Sequence, residues 1–147
     1  ACRHGEALIA FVGDVAGIRT GPALFVLPPT PPPDIDLEAW SESVDLVARW
    51  LPETLFMTHF GPHSGVSAHL QTLRENLTMM SELARRTLEG DGSDEDRISQ
   101  FEQEMRRYQR QRLPETEAAL YRQTAPLSLN WLGLARYWRK RGVGVPG

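Results

Sequence analysis

An α/β fold is predicted for this 147-residue chain by three features of its pattern. Residues 7–12, ALIAFV, form a short unbroken apolar run, the mark of a strand covered on both faces. A stretch with helical apolar spacing follows, and after it residues 55–58, LFMT, make a second run of strand length. Strand, crossover helix and strand in that order build a right-handed parallel unit on a sheet. From Ser67 onward the apolar spacing is helical throughout, so a helical half follows the α/β half.

The elements can be justified in order. Arg3, His4, Gly5 and Glu6 are turn-like, and the first strand ends at Gly13-Asp14. Residues 24–27, LFVL, suit a second short strand. Pro28, Pro29, Pro31, Pro32 and Pro33 end it, because proline has no N–H for a ladder, and they form a rigid connector. Asp36 suits a helix N-cap, and Leu37, Trp40, Val44, Val47 and Leu51 then share one face until Pro52. HFGPH, residues 59–63, reads as a loop by its Gly-Pro.

Ser67 suits the cap of a long helix with the stripe Leu70, Leu73, Leu77, Met80, Ala84 and Leu88, closed by Gly90 and Gly92. Ser93 caps the next helix; Asp94, Glu95 and Asp96 sit where its dipole favours acids, and Ile98, Phe101, Met105 and Tyr108 form its stripe. Pro114 suits the first turn of a short helix reaching Thr124. Ser128 suits the cap of a last helix carrying Trp131, Leu132, Ala135 and Trp138.

Composition narrows the function classes. With 41% hydrophobic residues and no apolar run near the ~20 that a membrane span needs, no membrane role is expected. Arg3, His4 and Glu6 interrupt any leader-like apolar stretch, so a cytoplasmic location is expected. Cys2 is the single cysteine, which leaves His, Asp and Glu as metal ligands. The net charge of −3 hides an asymmetry: residues 1–66 hold three Lys/Arg against eight Asp/Glu, and residues 67–147 hold thirteen against eleven.

In sheets covered by helices, side chains at the carboxyl ends of strands project from a rigid edge into open space. Asp14 and His59 both follow predicted strands. A carboxylate and an imidazole are donors that a zinc-like ion accepts, and neighbouring parallel strands could aim both at one point.

AFVGDVAGIR, the proline connector, the amphipathic helix, LPETLFMTHFGPH and the long helix after it resemble the C-terminal half of a metallo-β-lactamase-fold hydrolase, over roughly residues 7–89. The resemblance implies that Asp14 is a carboxylate bridging two metal ions and that His59 is a terminal ligand. It implies half of a four-layer αβ/βα sandwich over residues 1–89, with residues 90–147 as an α-helical extension that shapes a pocket or makes a homodimer. The cofactors implied are two divalent ions, zinc first and manganese or iron as alternatives. They would activate water against a small-molecule ester, thioester, lactone, β-lactam or phosphodiester.

The family's His-x-His-x-Asp-His signature is absent from the chain. The expectation is therefore a fragment whose partner is the other half of the fold, with weak metal binding and no catalysis alone. His4 is better read as a turn residue than as the next ligand.

The remaining candidates read more plainly. His63 is a loop residue, and His69 a partly buried helix residue. Glu53 and Thr58 flank the second strand without support for an acid role. RRYQRQR, bounded by Arg106 and Arg112, and RYWRKR, residues 136–141, mix basic and aromatic residues as nucleic-acid binders do, yet Glu102 and Glu104 precede the first and the chain is acidic overall. Trp131 and Trp138 read as packing anchors. Two alternatives to the hydrolase stay open: a non-catalytic interaction or dimerisation module and, behind it, a nucleic-acid binder through the arginine runs.

Overall fold

A computed structural model describes residues 2–4, 7–58 and 61–145. It is a mixed α/β structure in two compact units. One holds Ala1–Pro28 and Asp36–Asn76; the other holds Pro29–Ile35 and Leu77–Gly147. This division falls at another place than residue 89, within a continuous helix.

The first unit carries a four-stranded sheet in the order β1 (Cys2–His4), β2 (Ala7–Phe11), β3 (Thr54–Met57), β4 (Gly61–His63). β2 and β3 are parallel, with Ile9 opposite Thr54, Ala10 opposite Leu55 and Phe11 opposite Phe56. They are joined through helix α1 (Leu37–Arg49), capped by Asp36, whose carboxylate accepts the Ala39 N–H at 2.9 Å. Ala10, Val12, Leu55 and Met57 face a core with Val44 and Val47 of α1 and with Leu70 and Leu73 of helix α2 (Val66–Glu89). Burying such side chains stabilises by about 1.5–3 kcal/mol each.

Several expectations are corrected at the sheet edges. Arg3 and His4 belong to a strand, β1, pairing antiparallel with β2 with His4 opposite Ala7. Three residues are too few to display an alternating pattern, so the exposed edge of β2 decides. Residues 61–63 are likewise a strand, antiparallel to β3, with Pro62 opposite Phe56. An edge strand tolerates proline because one row of its N–H groups has no ladder partner. Residues 24–27 form no strand; Leu27 makes one isolated bridge to Ile18, with N–H···O distances of 2.8 and 2.9 Å. Leu51, expected on the apolar face of α1, follows the helix with a positive φ of 50° and is 80% exposed.

In the second unit α3 (Asp94–Arg110) packs on α4 (Glu115–Thr124) and α5 (Leu127–Arg139). Ser93 and Asp96 form a reciprocal capping box at the start of α3. The whole predicted α2 stripe from Leu70 to Leu88 is buried. Helix starts shift slightly: Ser67 lies inside α2 and Ser128 inside α5, while Pro114 precedes α4 rather than entering its first turn. Gly65 offers its carbonyl to the His69 N–H at 3.1 Å, so a backbone acceptor serves where the Ser67 hydroxyl was expected. Among the described residues no helix is long and apolar enough to cross a membrane.

Candidate functional site

Asp14 sits one residue beyond Gly13, where β2 turns into a short 3-10 turn, Gly13–Ala16. The ladder reaches almost to it, since the Val12 N–H donates to the Phe56 carbonyl at 3.2 Å. Gly13 adopts a left-handed φ of 56°, and a Cβ there would stand 3.6 Å from the Thr58 hydroxyl oxygen. The end of β2 and the end of β3 are thus adjacent. His59, the second expected ligand, lies outside the described residues, directly after Thr58 in the chain.

The turn is held from every side within the first unit. Inside it, the Val15 N–H donates to the Val12 carbonyl at 3.2 Å and the Gly17 N–H to the Asp14 carbonyl at 2.9 Å. The Trp40 indole N–H of α1 donates to the Val15 carbonyl at 2.8 Å. His69 of α2 places Nε2 at 2.8 Å from the Ala16 carbonyl. Gly17 is required by space as well as by its φ of 78°, because a Cβ there would meet Val26 at 2.7 Å and Leu73 at 2.9 Å. The Asn76 amide donates to the Val26 carbonyl at 2.6 Å and fixes the segment that presses on Gly17. The Asp14 residue itself is exposed.

His69 differs from its expected role. It is fully buried, at 0% exposure, rather than partly so. A carbonyl only accepts, so Nε2 carries the ring proton, and Nδ1 has no hydrogen-bond partner among the described residues. Burial lowers the imidazole pKa from its ordinary value; the bond to Ala16 opposes this, and the charges of Arg19 and His63 add to the lowering. The His63 ring centroid lies 6.0 Å from that of His69.

Trp40 and His69 were legible as members of apolar helix faces, but their acceptors were not. The available signal was chemical: an indole or imidazole on a buried face must find a partner for its N–H. Among the described residues, no group of three or more His, Cys, Asp or Glu side chains converges as a metal cage would require. Asp14 carries an exposed carboxylate at the carboxyl end of β2.

The other candidates resolve into packing and ion pairs. Trp131 is fully buried and donates its indole N–H to the Thr87 hydroxyl at 2.8 Å; Trp138 donates to the Ser81 carbonyl at 3.0 Å. Arg106 and Arg107 pair with Glu102 and Glu104. The Arg112 guanidinium lies 3.6 Å over the Tyr108 ring.

Comparisons with family models, curated proteins and solved structures returned no match.

Proposed function

We propose that this chain supplies Asp14 and His59 to a dinuclear metal centre in a hydrolase of the metallo-β-lactamase fold. The observation that carries the reading is the parallel register of β2 on β3. Asp14 lies three residues beyond Phe11 at the carboxyl edge of the β2–β3 pair, and His59 follows Phe56, the register partner of Phe11, by the same three residues in sequence. That edge is where a covered parallel sheet presents its ligands.

A second observation supports the missing layer of the sandwich. The β2–β3 face opposite the core carries Phe11, 64% exposed, against Phe56, 40% exposed, with ring centroids 5.3 Å apart. A second sheet would cover that aromatic pair. Asp14 would bridge, His59 would cap one ion, and the remaining ligands would come from outside this chain. Zinc, or manganese or iron in its place, would supply an activated water for attack on an ester, thioester, lactone or phosphodiester.

The test is Mn²⁺ or Zn²⁺ titration of this chain and of a form joined to its upstream coding segment. Tight binding only in the joined form, lost on Asp14→Ala, supports the hydrolase. Indifference to metal in both forms favours the interaction module, in which the aromatic pair is a docking face. Nucleic-acid binding is the weaker alternative, because Arg106 and Arg107 are already paired with acids.

A further inference from the structure

We propose that His69 and Trp40 are positioning residues, which lock the backbone of the 3-10 turn so that the Asp14 carboxylate is presented in one place. This rests on the proposed metal reading for its purpose and on hydrogen-bond geometry for its substance. A four-residue turn has few bonds of its own. Here the carbonyls of Val15 and Ala16, consecutive in the chain, are each taken at 2.8 Å by a ring N–H from a different helix.

The two internal bonds, Val15 N–H to Val12 and Gly17 N–H to Asp14, complete a set of four around one exposed carboxylate. The donors reach from 25 and 53 residues away, so the turn is referenced to both helices of the unit. The choice of histidine is costly. Its Nδ1 lies buried with no hydrogen-bond partner among the described residues, a penalty that an apolar side chain would avoid. Rigid support behind an exposed ligand is what metal sites need, since misplacement of the first ligand by a fraction of an ångström weakens coordination.

The experiment is amide hydrogen exchange by NMR on the full chain, comparing His69→Leu, His69→Gln and Trp40→Phe with Val44→Ala. The last loosens the same core without removing a hydrogen bond to the turn. Exchange at Gly17 and Val15 is read against that at Leu73, so global destabilisation cancels. Loss of one brace is expected to speed exchange at Gly17 about fivefold or more relative to Leu73, the scale of one hydrogen bond. His69→Gln, whose amide can reach the same carbonyl, should restore much of the protection, and Val44→Ala should change the ratio little. An unchanged ratio in both His69→Leu and Trp40→Phe overturns the proposal.

Mn²⁺ added to the wild type provides the separate arm, read as paramagnetic broadening at Asp14. Selective broadening that weakens in His69→Leu supports both readings. A loosened turn with no broadening in the wild type and no metal binding by the joined form keeps the positioning role and removes the metal reading.

Discussion

The carbonyl oxygen of Thr30 lies 1.9 Å from the point where a Cβ on Gly133 would stand. The backbone of the proline-rich segment therefore runs directly against α5, and only glycine leaves room. Gly133→Ala improves intrinsic helix propensity by about 1 kcal/mol. The clash is with backbone, which cannot rotate away, and overpacking of this kind costs about 1–3 kcal/mol or more. The expected result is a lower thermal midpoint despite the better helix former, read by calorimetry or circular dichroism.

Asn130 secures the same contact. Its side-chain carbonyl accepts the Thr30 N–H at 2.8 Å, and the Thr30 hydroxyl donates to the Asn130 backbone carbonyl at 3.1 Å. Both residues are buried. Asn130→Ala leaves the Thr30 N–H without its acceptor in a dry place, at a cost of about 1–3 kcal/mol. Urea titration should register the loss, whereas Arg136→Ala, on an exposed ion pair with Asp34, should shift the midpoint far less.

Acid should weaken the first unit through His69. Its folded-state pKa lies below the ordinary 6.5, so the unfolded chain binds more protons in the window between the two values. The stabilising effect of the neutral ring is complete above 6.5 and is lost as pH falls through that window. Arg19 and His63 face the ring and oppose its charging. Denaturant midpoints at pH 7.5 and pH 5 should differ more in the wild type than in His69→Gln, which has no proton to gain.

Asp14→Asn tests the proposed ligand without disturbing the fold. Asp14 is exposed and its backbone is held by other groups, so stability should move by no more than about 0.5 kcal/mol. Metal binding by the joined form should nonetheless be abolished, as followed by calorimetric titration.

Phe11→Ser addresses the open sheet face. The side chain is largely exposed, so the chain alone should keep its thermal midpoint and bind less of a hydrophobic dye. If the proposed second half of the fold covers this face, its association in trans should weaken, and an unchanged affinity would place the partner surface elsewhere.

Much of this architecture was open to local reading. The apolar run before Gly13, the spacing through Val44 and Val47, and the Asp36 and Ser93 caps were all legible, because each depends on neighbours within a few residues. The strand, helix, strand order then implied the parallel pairing that sets Asp14 at a sheet edge. The resemblance that adds His59 came from motif order, and His59 lies outside the described residues.

Chain-distant partners were invisible from the same pattern. β1 and β4 are strands because β2 and β3 offer them free edges, not because three residues prefer extension. Gly133 is a poor helix former by its own propensity, and its place is set by the Thr30 backbone, 103 residues away in the chain, whose carbonyl oxygen stands where a Cβ would be. Helix faces, caps and strand order arise from periodicity and nearby hydrogen bonds, which composition and spacing encode. The atoms that receive the Trp40, His69 and Asn130 hydrogen bonds depend on how the elements pack, and only the folded chain brings donor and acceptor within 3 Å.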